Sequence, residues 1–240
     1  ENAWRLSQAG YSSMFIMIND QVSVENLLKG IIIASGNDAC VALAEGIAGS
    51  ESNFADMMNE KAGEIGMTST NFTNSSGIND PDNISTVRDI AIMSKYLIKN
   101  YPIYYELFAE KTFTWDRTGG EPIKQGNRNP LLYKNVGVDG VKTGWTESAG
   151  YCLIGSAIVG DMRLVAVVLG SEDDKRFNDV ASLINYGFRY FVTERKVRSN
   201  ESLKKLRVVG GVDDEVSLGV VEDVVITLQK DQQGSLRYEI

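Results

Sequence analysis

Two short stretches hold residue types that can do chemistry: Ser35-Gly36-Asn37 and, far downstream, Lys142-Thr143-Gly144. A lysine ammonium holds a carboxylate or, when partly desolvated, relays a proton. Thr143 adds a hydroxyl for the same carboxylate, and Gly144 lets another backbone approach and pair with a strand edge. Ser35 can pass protons and Asn37 can bind an amide. Taken singly, each triplet also fits a plain reading, a surface turn for one and a helix interruption with a local cap for the other. The chain contains no histidine. That excludes Ser-His-Asp and Cys-His hydrolases, His-Glu-x-x-His metalloproteases and the usual zinc catalytic sites. Any general base is therefore Lys, Asp, Glu or Tyr.

The bulk of the sequence sets the frame for these residues. With 240 residues, 43% of them hydrophobic and 23% charged, the chain can bury one sizeable core and build a small second domain. A net charge of -8 with scattered lysines and arginines gives no basic stripe, so nucleic acid is not expected as a partner. No run reaches the roughly 18 apolar residues of a membrane span, and Glu1 to Gly10 lacks the apolar core of a signal peptide. Any export or anchoring segment is expected outside this sequence. Cys40 and Cys152 are too few for a disulfide scaffold and suit no zinc motif, so both are expected as small buried residues. No metal or cofactor is expected.

The elements that must position the two triplets follow from periodicity. Ser23 caps a helix through "VENLLKGIIIA", and a second helical run, "NDACVALAEGIAG", meets it at Ser35-Gly36-Asn37, with Asn37 or Asp38 as its cap. A third helix starts at Ser50, turns Phe54, Met57, Met58, Ala62 and Ile65 inward and stops at Gly66. The fourth opens with a capping box from Thr86 to Asp89 and carries Val87, Ile90, Ala91 and Leu97 inward. "KTFTW" alternates as a strand with Phe113 and Trp115 on one face, before a turn at "DRTGGEP". "GYCLIGSAIV" and "MRLVAVVLG" read as a hairpin about Gly160-Asp161, in a sheet covered on both faces. A last helix places Phe177, Val180, Ala181, Ile184 and Phe188 at helical spacing. From Glu194 onward, Val-rich runs broken by Gly and Asp predict a small β domain. The expected division is 1–193 and 194–240.

In this order, a Ser-x-Asn followed by a Lys-Thr-Gly resembles the second and third signatures of the penicillin-recognising serine enzymes. "LLKGIIIASGNDACVALAEGIAGSESNFADMMNEKAGEIGMTSTNFTNSSGI", "STVRDIA", "QGNRNPLL", "VDGVKTGWT" and "SAGYCLIGSA" narrow the resemblance to the low-molecular-mass D-alanyl-D-alanine carboxypeptidases, over Asn2 to Phe191. The resemblance implies an α+β fold, a β-lactamase/transpeptidase-like antiparallel sheet flanked by helices, followed by the start of a β-rich second domain. It implies a serine enzyme that removes the terminal D-Ala from peptidoglycan stem peptides ending in D-Ala-D-Ala and is acylated by β-lactam antibiotics. Carried over, Ser35 and Lys142 belong to the proton network and Asn37 holds the substrate amide. Thr143 and Gly144 contact the terminal carboxylate and backbone, and the Trp145 N–H donates to an oxyanion hole. Arg128 in "GNRNP" matches a family arginine near the site, and Arg176 lies near another that binds the substrate carboxylate. Trp145 stands where the family often has histidine, so only its backbone role transfers.

The family's nucleophile and base form a Ser-x-x-Lys one helical turn apart, N-terminal to the Ser-x-Asn. None precedes Ser35. The one in the chain, Ser202-Leu203-Lys204-Lys205, falls in the Val-rich tail in the wrong order and reads as a coincidental polar turn. The sequence is therefore expected to be the middle of a longer protein, starting after the nucleophile helix and inactive by itself. The resemblance places that protein in the periplasm or otherwise outside the cytoplasm, associated with the membrane surface through a C-terminal segment not included here. The alternatives are a serine β-lactamase, which needs a carboxylate to activate the deacylating water, and a non-catalytic binder of peptidoglycan peptides.

Overall fold

A computed structural model of the chain describes residues 1–134, 137–172 and 175–234. The N-terminal helices are α1 (Asn2–Gln8), α2 (Val24–Ile32), α3 (Asn37–Ala48) and α4 (Glu51–Ile65). The Ser23 hydroxyl accepts the Asn26 amide and starts α2, as its residue type predicts. α3 departs from expectation. Its N-cap is Gly36, which has no side chain to offer, and neither Asn37 nor Asp38 caps the helix in the expected way. The Asp38 carboxylate turns back instead to the segment before α2.

α4 starts on the Ser50 hydroxyl, which accepts the Asn53 amide, and ends at Gly66 in the left-handed region, both as expected. Of its expected inward face, Ala62 is buried and Phe54, Met58 and Ile65 are half-buried, but Met57 is 48% exposed, and Ala55 is buried in addition. α4 packs against both α3 and α5 (Val87–Asn100). At the start of α5, Thr86 accepts the Asp89 amide, but the reciprocal half of the capping box is missing. The Asp89 carboxylate accepts instead from the Ser69 amide and the Thr70 hydroxyl, turning its own face inward and leaving Val87 exposed.

α6 (Pro102–Tyr105) and a 3-10 turn lead into the hairpin of β1 (Thr112–Trp115) and β2 (Ile123–Gly126). Phe113 and Trp115 are buried and Thr112 and Thr114 exposed, as the alternation predicts. These two aromatics close a core with Met14, Ile16, Leu27 and Ile33.

The sheet that carries Lys142 has the order β3-β4-β5, made of β3 (Val138–Thr146), β4 (Gly150–Val159) and β5 (Met162–Ser171). β4 and β5 join at Gly160-Asp161, with Gly160 at φ +58°, the backbone region a tight hairpin loop needs. α7 (Lys175–Tyr190) buries Val180 and Ile184. Both pack over Gly155, where a Cβ would lie 2.4 Å from Val180 Cγ1. β3 also packs against the 3-10 turns at 106–109 and 130–133.

The chain divides into two compact units, one of Glu1–Ile158 with Arg163–Ile184, the other of Val159–Met162 with the chain from Asn185 onward. The second unit pairs β6 (Phe191–Val197) with β9 (Val224–Gln229), and β7 (Lys204–Arg207) with β8 (Glu215–Leu218). The architecture is thus the α+β class expected. Cys40 and Cys152 are free thiols as expected, but both keep partial exposure rather than full burial.

Candidate active site

Ser35 follows the C-terminal end of α2 at φ +57°, in the left-handed region that a non-glycine residue rarely adopts. Gly36 makes this turn possible. A Cβ on it would meet Asp38 Oδ1 at 2.9 Å, the Met14 amide nitrogen at 3.1 Å and the Gly30 carbonyl at 3.3 Å. The turn presents the Ser35 hydroxyl to β3, where Lys142 Nζ donates to Ser35 Oγ at 2.8 Å and to its neighbour's carbonyl, Thr143 O, at 3.1 Å.

Burial disfavours the Lys142 ammonium, and the positive charges of Arg128 and Arg176 oppose it further, lowering its pKa to about 8. An ionised Cys40 would pull the other way, but burial pushes that thiol up to about 12, so it is neutral where Lys142 titrates. A lysine with a titration point near neutrality, hydrogen-bonded to a serine hydroxyl, can relay a proton.

The Asn37 amide does not reach for Lys142. Its Nδ2 donates to the Ser12 carbonyl at 2.9 Å, and its backbone N–H donates to the same oxygen at 2.8 Å. Ser12 belongs to a strap, residues 11–16, held by the fully buried Asp38 carboxylate. That carboxylate accepts the amides of Met14 at 2.9 Å, Phe15 at 2.8 Å and Ile16 at 3.0 Å, as well as that of Ala39 at 2.9 Å. From the other side, Gln125 Nε2 donates to Ser13 O at 2.9 Å and Arg128 Nη1 to Ser12 Oγ at 2.6 Å.

Arg128 is exposed, yet the loop that carries it is fixed by its buried neighbours. Asn127 Nδ2 donates to Glu110 O, while Asn129 accepts the Leu131 amide and donates to Gly140 O on β3. Arg176, in the first turn of α7, donates to Gly144 O at 2.9 Å and stacks over the rings of Tyr151 and Phe177. Thr143 and Gly144 continue β3 beside Lys142, opposite Leu153 and Cys152. Trp145 is 58% exposed, its ring centroid 5.9 Å from that of Tyr151.

The structure therefore joins Ser35 directly to Lys142, puts the guanidinium charges of Arg128 and Arg176 within electrostatic reach of that lysine, and links Asn37 to Arg128 through Ser12. Sequence reasoning missed Ser12, Asp38 and Gln125. Only Asp38 left a signal, and its type and place directly after the Ser-x-Asn read as a helix cap rather than as the anchor of a distant strap. Ser202 and Lys205 lie in the second unit, Lys205 on β7 and ion-paired at 3.7 Å to Glu215. Among the described residues no group of His, Cys, Asp and Glu side chains could hold a metal ion, and no helix is long and apolar enough to cross a membrane.

A serine of a Ser-x-Asn turn bonded to the lysine of a Lys-Thr-Gly strand marks the class, and family comparison agrees: the chain belongs to the D-alanyl-D-alanine carboxypeptidase family, Peptidase S11, whose model matches residues 1–173. It is 44% identical over 230 residues to the D-alanyl-D-alanine carboxypeptidase DacC of Escherichia coli (strain K12), covering 95% of this chain and 56% of that protein. It is 40% identical over 245 residues to DacA of Haemophilus influenzae (strain ATCC 51907 / DSM 11121 / KW20 / Rd), covering 100% of this chain and 61% of that protein. The chain thus spans little more than half the length of these relatives. Among solved structures, penicillin binding protein 5 from Haemophilus influenzae superimposes with a TM-score of 0.87 at 40% identity, over 97% of this chain and 67% of that one. Penicillin-Binding Protein D2 from Listeria monocytogenes, in its ampicillin-bound form, gives 0.66 at 33% identity, over 74% and 73%.

Proposed function

We propose that the full-length protein is a serine-type D-Ala-D-Ala carboxypeptidase that removes the terminal D-Ala from peptidoglycan stem peptides and is acylated by penicillins. The single observation that carries this reading is the 2.8 Å hydrogen bond from Lys142 Nζ to Ser35 Oγ. In it, two residues without a histidine between them form a proton relay. The attacking serine and its lysine come from a Ser-x-x-Lys segment that this sequence does not contain before Ser35.

Each side chain then has a task. As the attacking serine's oxygen bonds to the acyl carbon and the C–N bond breaks, neutral Lys142 and Ser35 pass the proton released by that hydroxyl to the leaving D-alanine amine. β3 is the end strand of its described sheet, and the substrate backbone pairs along its edge at Gly144 and Trp145, with the Trp145 N–H facing the developing oxyanion. Thr143, Arg128 and Arg176 receive the terminal carboxylate, two guanidinium groups suiting a planar anion. Asn37 binds a substrate amide once it exchanges the Ser12 carbonyl for it. Because peptidoglycan lies outside the cytoplasmic membrane, the protein works there, held at the membrane surface by a segment beyond this sequence. The catalytic unit is taken as residues 1–193.

The test is release of D-Ala from a pentapeptide by the full-length protein, together with its intact mass after exposure to a penicillin. The expected result is turnover and a persistent adduct, both formed at least about 100-fold more slowly in Lys142→Ala. An adduct cleared within seconds would make the protein a β-lactamase, and no adduct with no turnover would make it a binder.

A further inference from the structure

We propose that Ser12 is a positioning residue: its hydroxyl holds the Arg128 guanidinium within electrostatic reach of Lys142 while its carbonyl holds Asn37, so the strap from Tyr11 to Ile16 ties one side of the site to the other. The inference rests on the carboxypeptidase reading for its kinetic arm only.

Ser12 accepts three hydrogen bonds from two elements far apart in sequence. Two come from Asn37 at the start of α3, at 2.8 and 2.9 Å, and one from Arg128 beyond β2, at 2.6 Å. The strap itself cannot drift. The buried Asp38 carboxylate takes three successive amides of it, and Gln125 takes the Ser13 carbonyl. The Arg128 backbone is equally fixed, because Asn127 and Asn129 on either side are buried and hydrogen-bonded. What is left free is the long, exposed Arg128 side chain, and an arginine held at one end only loses rotamer freedom when a partner fixes its head. Ser12 Oγ is that partner.

The charge so placed has a measurable effect. Lys142 is faced by the Ser35 hydroxyl, by Cys40 on α3, by Arg128 and by Arg176 on α7. Of these charges Arg128 weighs most in holding the lysine low, after burial. Releasing Arg128 removes a nearby positive charge, which favours the ammonium and moves the Lys142 titration upward, while burial and Arg176 keep part of the depression.

The experiment follows the Lys142 titration by 13C NMR in the full-length protein, for wild type, Ser12→Ala, Arg128→Ala and the double variant. Ser12→Ala keeps the carbonyl, so Asn37 stays held. The expected result is an upward movement of roughly half a pH unit to one unit in Ser12→Ala, restoration in Ser12→Thr, and no further movement when Ser12→Ala is added to Arg128→Ala. Where D-Ala release is measurable, KM for a carboxylate-terminated peptide rises about tenfold in Ser12→Ala with a smaller change in kcat. An unmoved titration in Ser12→Ala, or the same movement with and without Arg128, overturns the proposal. Should Ser12→Ala fail to fold, the Thr and Val variants at this position differ only by the hydroxyl and decide the question. Absence of turnover in the wild type refutes the carboxypeptidase reading alone, since the titration needs no catalysis.

Discussion

Lys142 Nζ stands 2.8 Å from Ser35 Oγ, so a lysine at the middle of β3 and a serine in the turn between α2 and α3 share one proton path. The lysine is half-buried, and desolvation together with two nearby arginines brings its titration to about 8. Only the neutral amine accepts a proton. The penicillin acylation rate of the full-length protein should therefore climb toward pH 8 and level off above it. Removing the amine in Lys142→Ala should lower the rate by about 100- to 10,000-fold and abolish that limb. A limb that survives the substitution would assign it to another group.

The same depression governs stability, with a sign opposite to that of a salt-bridged lysine. The pKa of Lys142 in the fold is about 8, below the ordinary 10.5. Below pH 8 the folded state holds a partly desolvated ammonium at a cost. Between the two values the unfolded chain keeps a proton that the fold has released, so stability rises with pH across that window. Lys142→Met should accordingly be more stable than wild type at about pH 7, and the gap should narrow by about pH 10, as urea midpoints would show. A gap that widens with pH would contradict the burial of the charge.

Asp38 offers a harsher test of the strap. Its carboxylate is fully buried and takes the amides of Met14, Phe15 and Ile16. Asp38→Ala leaves these three strap amides and that of Ala39 without an acceptor, at about 1–3 kcal/mol each where water does not reach them. The expected loss of stability is at least about 3 kcal/mol, with the residual fold losing penicillin acylation because Ser12 no longer holds its place. Equilibrium unfolding checks the first part and intact mass the second. A loss under about 1 kcal/mol would mean that the strap is held by other contacts.

These residues also show where sequence reading ended. Ser35, Asn37 and Lys142 were legible as triplets because their side-chain types carry the chemistry, and the hairpin about Gly160 was legible because turn geometry is local. The juxtaposition of Ser35 with Lys142 was not local, and only the resemblance to a family joined them. Ser12 was invisible for a different reason: its main bonds run through its carbonyl, which every residue possesses. Likewise the period turned both Ala62 and Met57 inward, and only Ala62 is buried, while Ala55, one position off the expected face, is buried and Met57 stays exposed. Periodicity names a face, whereas the volume available between helices decides which neighbouring face is buried.

Ser35 separates strain from chemistry. At φ +57° it occupies a region that costs a residue with a Cβ about 1–2 kcal/mol and a glycine almost nothing. Ser35→Gly should stabilise the fold by about 1 kcal/mol, while Ser35→Ala should not. Both variants lose the hydroxyl that accepts from Lys142, so both should slow the proton-transfer steps about 100-fold or more. Thermal midpoints and acylation rates measured on the two variants check this. Equal stabilities would place the strain elsewhere.

Gly155 fixes how closely α7 lies on the sheet. A Cβ there would sit 2.4 Å from Val180 Cγ1 and 3.3 Å from Ile184 Cδ1, and both side chains are buried. Gly155→Ala must push the helix away or force Val180 off its rotamer, at about 1–3 kcal/mol. Val180→Ala alone costs a similar amount by leaving a cavity. Combined, the new methyl enters the space that Val180 vacates, so the double variant should be more stable than the sum of the two losses allows, by at least about 1 kcal/mol of coupling. Strict additivity in urea unfolding would mean that α7 rides on the sheet with slack to spare. In that case Arg176, in the first turn of the same helix, would not be held against Gly144 by packing, and its 2.9 Å bond to the strand would have to hold that turn by itself.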